Sequence, residues 1–98
     1  MSIKALIVDD EPSARDLCVE ILRSMGLKTE TAESGARALA LLAQGRVDIV
    51  LTDVRMPGMN GIELLKIIRQ KYPRTDVVIM TGYGTIQASV EAIKLGAY

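Results

Sequence analysis

Histidine is absent from this chain, and cysteine occurs once in its 98 residues. The first absence removes the imidazole that would argue for zinc, and with it the base that would activate a thiol. The second excludes an internal disulfide. Cys18 falls on an apolar helical stripe and reads as a buried small hydrophobe in a reducing cytoplasm. Net charge is missing too: twelve basic side chains balance twelve acidic ones. No global field therefore draws the chain to nucleic acid or to an anionic membrane, and any anion binding must be local. There is no basic leader segment and no long apolar run, so neither a signal peptide nor a membrane span is expected. The expectation is a soluble, cytoplasmic protein. No Walker sequence occurs. Gly82-Tyr83-Gly84 lacks the third glycine of a dinucleotide fingerprint and follows the wrong strand for one. Repeats, low-complexity tracts and linkers are likewise missing.

What is present is a regular alternation of strand-like and helical segments. With 49% hydrophobic residues, the chain can bury the core of one small domain. Ile3 to Val8, Val47 to Thr52 and Val77 to Met80 read as strands, and Lys28 to Thr31 as a short polar strand suited to a sheet edge. Ala14, Leu17, Cys18, Ile21, Leu22 and Met25 recur at helical spacing, and Gly26 stops that helix. Ser34 can cap a second helix running to about Ala43 and ending near Gly45. Gly58 to Gly61 forms a loop before a third helix that carries Ile62, Leu64, Leu65, Ile67 and Ile68 and stops before Pro73. Thr85 opens a last helix with Ile86, Val90, Ile93 and Ala97 on its apolar face. The pattern predicts an α/β fold around a mostly parallel sheet. Val77 to Met80 is a continuous apolar run, as expected of a strand covered on both faces.

Three of the strands run into oxygen-bearing side chains: Asp9-Asp10, Asp53 and Thr81. In an open parallel sheet such residues converge on one crevice beyond the strands' carboxyl ends. Two carboxylates about 4 Å apart repel by roughly 4 kcal/mol at an effective dielectric near 20, so a bound cation is the natural remedy. Hard oxygen ligands suit Mg2+ or Mn2+. Asp9 or Asp10 could instead cap the helix that begins near Pro12, and for an isolated Asp-Asp pair the two readings are about even. Asp53 tips the balance, because a second acid at the end of a second buried strand has no capping role. A carboxylate beside such an ion can attack a phosphoryl group. Thr81 adds a hydroxyl, and Gly82 and Gly84 let backbone amides approach an anion, although Thr81 alone reads better as satisfying a local turn. The remaining Lys and Arg residues read as helix exteriors.

Ile7-Val8-Asp9-Asp10-Glu11, Leu51-Thr52-Asp53-Val54-Arg55-Met56-Pro57-Gly58-Met59-Asn60-Gly61 and Met80-Thr81-Gly82 together resemble the receiver domain of two-component response regulators, the CheY-like fold. The resemblance spans residues 1–98 as a single receiver domain. It implies a flavodoxin-like, doubly wound parallel sheet of strand order 2-1-3-4-5 in which Asp53 accepts a phosphoryl group from a sensor histidine kinase. It further implies that Asp10, Asp53 and the Arg55 carbonyl ligate Mg2+, that Asp9 acts through water, and that the Thr81 hydroxyl and Gly82 amide hold phosphoryl oxygens. Residues 80–98 are similar to receivers of NtrC-like activators that work with an alternative sigma factor. That likeness implies an ATPase and DNA-binding output in the parent chain, with no nucleic-acid contact by the receiver itself.

Receivers also have a fifth strand and fifth helix that bring a phosphate-binding lysine and a reporting aromatic. Neither Lys94 nor Tyr98 stands where those residues belong, so by this resemblance the domain is incomplete at its carboxyl end. An open fourth strand would then favour self-association through that strand and the last helix. The leading expectation is a phosphoacceptor that turns over no external substrate. One alternative is a chemically silent interaction or folding fragment. Another is a phosphatase with an aspartyl nucleophile, against which Arg55 stands where such enzymes place a general acid.

Overall fold

The computed structural model describes residues 3–53 and 58–80. Among them the chain alternates strictly: β1 (Lys4–Val8), α1 (Pro12–Ser24), β2 (Lys28–Ala32), α2 (Gly35–Gln44), β3 (Ile49–Asp53), α3 (Gly61–Lys71) and β4 (Asp76–Met80). All pairings are parallel, and the strand order is β2-β1-β3-β4. The order reverses at β1, whose neighbours are β2 on one side and β3 on the other, so a topological switch point lies between β1 and β3.

Alternation along each strand divides the core into two layers. Leu6, Val8 and Val50 face α2 and α3, packing with Ala38, Leu42, Leu64 and Ile68. Ala5, Ile7, Ile49 and Leu51 face α1, packing with Cys18, Leu22 and Leu27. Burial on both faces explains the unbroken apolar runs Ala5 to Val8 in β1 and Ile49 to Leu51 in β3. β2 keeps Lys28 and Thr31 exposed and is the edge that its polar sequence implied. In β4, Val77 and Val78 contact the two opposite layers, and Val77, Val78 and Ile79 are half-buried; among the described residues β3 is the strand beside them, in keeping with the open fourth strand expected from the sequence.

The helix ends follow local chemistry. Gly26 adopts φ +85°, its N–H donates to the Arg23 carbonyl, and the Leu27 N–H donates to the Leu22 carbonyl. This paired closure of a helix end needs a left-handed residue, which glycine supplies without a Cβ penalty. Ser34 caps α2, its hydroxyl accepting from the Arg37 N–H at 3.1 Å. Asn60 and Glu63 form a reciprocal capping box at the start of α3. Leu17 is a correction: it is 39% exposed rather than part of the buried stripe. At about 100° per residue it sits roughly 100° around the helix from Cys18, on the flank of the buried arc centred on Cys18 and Leu22. The last helix expected from Thr85 onward lies outside the described residues.

At the amino edge of the sheet the strands are stitched together by Asp48. Its carboxylate accepts from the Lys4 N–H at 2.9 Å and meets Arg46 Nε at 3.4 Å, and its carbonyl accepts from the Asp76 N–H at 3.0 Å. The Thr75 hydroxyl donates to the Val47 carbonyl at 2.8 Å.

Candidate functional site

β1 delivers Asp9 and Asp10 just beyond its last residue, and β3 ends in Asp53. Because Val8 pairs in register with Thr52, these acids emerge side by side at the switch point. One carboxylate oxygen from each of Asp9, Asp10 and Asp53 lies within 4.8 Å of the others. Asp9 is buried, Asp53 half-buried and Asp10 exposed, so the cluster runs from the sheet outward to solvent.

Asp9 is held from several sides. Its N–H donates to the Ala32 carbonyl at 3.1 Å, fixing the end of β1 against β2. Its Oδ1 accepts from the Glu11 N–H at 3.0 Å, and its carbonyl accepts from Arg15 Nη1 at 2.9 Å. Burial pushes the Asp9 carboxyl above the ordinary aspartate value, and the negative charges of Asp53 and Asp10 push the same way. The Glu11 amide and the Arg15 guanidinium pull it down without offsetting that rise. At an effective dielectric of about 20, two carboxylates at such a separation repel by roughly 3 kcal/mol, a large stress for a domain of this size.

The capping alternative is resolved against both acids. Glu11 is the N-cap of α1 and makes no side-chain cap, and Asp9 Oδ1 accepts from the Glu11 N–H, which precedes the helix proper. Arg15 is the residue that sequence reasoning missed, having been assigned with the other cations to a helix exterior. A signal existed, since Arg15, Cys18 and Leu22 stand at i, i+3 and i+7 and share the face turned to the sheet. Arg55, Thr81 and Gly82 lie outside the described residues, as do Met56 and Pro57. Gly58, at φ +77°, and Met59 begin the described part of the loop leading to α3. Met59 packs against Gly35, where an added Cβ would stand 2.8 Å from the Met59 sulfur, so a residue without a side chain brings α2 against this loop.

The donor set fits a hard divalent cation. All three side chains offer carboxylate oxygen, and octahedral Mg2+ at about 2.1 Å would place its donors about 3 to 4 Å apart. Oxygens within 4.8 Å of one another are close enough for one such ion to be held among them. Cys18 is no rival ligand: it is buried, and desolvation followed by the Asp9 charge raises its thiol further above its ordinary range. Among the described residues no helix is long and apolar enough to cross a membrane.

Comparison with known proteins accords with this site. Residues 5–98 match the family described as the response regulator receiver domain. The chain is 42% identical over 95 residues to the response regulator protein PilR of Pseudomonas aeruginosa, covering 97% of this chain and 21% of that protein. It is 42% identical over 92 residues to the DNA-binding transcriptional regulator NtrC of Escherichia coli K12, covering 94% of this chain and 20% of that protein. The chain thus spans about a fifth of the length of the curated relatives it matches. Among solved structures, response regulator protein TrrA of Thermotoga maritima, crystallised in complex with Mg2+-BeF, superposes with a TM-score of 0.78 at 34% identity, covering 93% of this chain and 79% of that one. NtrX of Brucella abortus gives 0.77 at 37% identity, covering all of this chain and 22% of that one.

Proposed function

Since the chain belongs to the response regulator receiver domain family, and so to two-component signalling, we propose that it is a Mg2+-dependent phosphoacceptor whose Asp53 takes a phosphoryl group from a sensor histidine kinase. The observation that carries this reading is the convergence of Asp9, Asp10 and Asp53 within 4.8 Å at the switch point. On the strength of the resemblance, Asp10, Asp53 and the Arg55 carbonyl would hold the Mg2+ directly, and Asp9 would act through water. When bound, the ion offsets the charge of the three carboxylates and of the phosphoryl oxygens. Mn2+ suits the same oxygen donors.

In the transfer, an Asp53 carboxylate oxygen attacks phosphorus on the donor's phosphohistidine. The new O–P bond forms as the N–P bond breaks, its electron pair returning to the imidazole, and Asp53 is left as an acyl phosphate. Asp9 keeps the site tightly placed, since its backbone is tied to Ala32 and Arg15 while its side chain is tied to Glu11. The Thr81 hydroxyl and Gly82 amide, which enter by resemblance alone, would hold the phosphoryl oxygens. No external substrate is turned over.

The partner chemistry follows from the relatives. PilR and NtrC are regulators about five times as long as this chain, and NtrC is described as DNA-binding, so the receiver would govern a transcriptional output through protein contacts in a longer cytoplasmic chain. Self-association would run through β4, which has a strand beside it on one side among the described residues, together with the last helix that the sequence predicts from Thr85 onward.

The test is chemical. Incubation with acetyl phosphate and Mg2+ should add one phosphoryl group by intact mass, and Asp53→Asn should abolish it. An adduct that persists in Asp53→Asn, or turnover of the phosphodonor without an Asp53 adduct, would replace this reading with another.

A further inference from the structure

A cleft of about 380 Å³ opens at the opposite edge of the sheet from the acids, bounded by the carboxyl ends of α2 and α3 and by the segments entering β3 and β4. Each strand is five residues long, so the two edges stand roughly 16 Å apart. Leu42 and Val47 supply an apolar floor continuous with the core, and the Tyr72 ring forms one wall. Arg46 and Arg74 are exposed at its rim, and they are the charged residues of the lining. Arg46 meets Asp48 through Nε, which leaves the outer edge of its guanidinium for another partner, and Arg74 makes no ion pair among the described residues.

From this arrangement we infer that the cleft is a second binding site, one that takes a small carboxylate carrying an aromatic or branched apolar body. The volume lies at the lower end of the range for small-molecule sites, which suits one ring and a short acid arm rather than a folded partner. Guanidinium matches carboxylate with two parallel hydrogen bonds, and also stacks on aromatic faces. Cations near helix carboxyl ends are favourable in themselves, but that role does not require an open apolar floor between them. Gly45 borders the cleft in extended backbone, and a Cβ there would meet nothing within 4 Å, so the opening is lined by a position any residue could occupy.

The experiment is an amide chemical-shift titration of the chain with 3-phenylpropionate, beside 3-phenylpropanol and 3-phenylpropylammonium as neutral and cationic counterparts. Saturable shifts should centre on Leu42, Val47, Tyr72 and Thr75, with the acid binding at least about fivefold tighter than either counterpart. Arg74→Gln should weaken it about fivefold to tenfold, the loss of one charge-assisted contact. Gly45→Leu should crowd the mouth of the cleft and weaken binding, while the spectrum of the rest of the sheet and the response of Asp9 and Asp10 to Mg2+ stay as they were. Equal affinity for the alcohol or the ammonium, shifts confined to the acid edge, unchanged affinity in Arg74→Gln, or no saturation into the millimolar range would each overturn the inference.

Discussion

The two edges of the sheet use the same residue for opposite purposes. At the amino edge, Asp48 is consumed by the fold: it meets the Lys4 N–H and Arg46, and its own carbonyl receives the Asp76 N–H. At the carboxyl edge, Asp9, Asp10 and Asp53 converge within 4.8 Å, with Arg15 reaching only the Asp9 backbone carbonyl. An aspartate whose neighbours are donors stabilises the domain. At the carboxyl edge Asp9 also accepts from the Glu11 N–H, yet burial and the charges of Asp53 and Asp10 still raise its carboxyl, and a fold keeps such an arrangement where a ligand will relieve it.

The sharpest way to break this contrast is to supply the ligand. Mg2+ should raise the melting temperature, because it binds the gathered carboxylates and not the unfolded chain; at a hundredfold excess over the dissociation constant, linkage gives about 2.7 kcal/mol. Asp10→Asn should remove most of that shift and, without metal, melt somewhat higher than the parent, since one repelling charge is gone. Equal Mg2+ shifts in parent and variant, by calorimetry or by circular dichroism, would mean that the ion acts elsewhere.

Asp48→Ala should do the reverse at the other edge. It leaves the part-buried Lys4 N–H without its acceptor and Arg46 without its partner, for a loss of about 2 kcal/mol in urea unfolding that Mg2+ saturation should not abolish. A loss below about 0.5 kcal/mol would show that water replaces the carboxylate at no cost.

The smallest effect is a slope with pH. Asp9 and Asp76 are both raised above 3.8 by desolvation, with nearby carboxylates adding to it. A raised carboxyl holds its proton in the folded state after the unfolded chain has lost it, so each is a stability penalty absent below 3.8 and fully present once pH passes the folded value. Without metal, stability should therefore decline as pH rises upward from 3.8 through that window. Asp76→Asn should shallow the decline in equilibrium unfolding, and Mg2+ should offset the share belonging to Asp9. A slope unchanged in Asp76→Asn would place its origin elsewhere.

Much of the fold is local enough to read from the chain. The uninterrupted apolar runs before Asp9 and Asp53 imply strands buried on both faces, the polar run from Lys28 implies an edge, and Ser34 and Gly26 mark helix ends because capping and left-handed backbone are properties of single residues. Even the gathering of Asp9, Asp10 and Asp53 was legible, since acids placed after parallel strands have one edge on which to meet. What tertiary structure alone decided was how each charge is answered. Whether Asp9 caps α1 or turns to the Glu11 N–H, whether Arg15 lies in solvent or against the end of β1, and which Lys4 atom meets the Asp48 carboxylate all depend on strand register and helix rotation. The same holds for Leu17, which helical period alone cannot distinguish from its buried neighbours until the sheet fixes the direction of the helix face. Periodicity says that a residue can be inside; only the partner surface determines that it is.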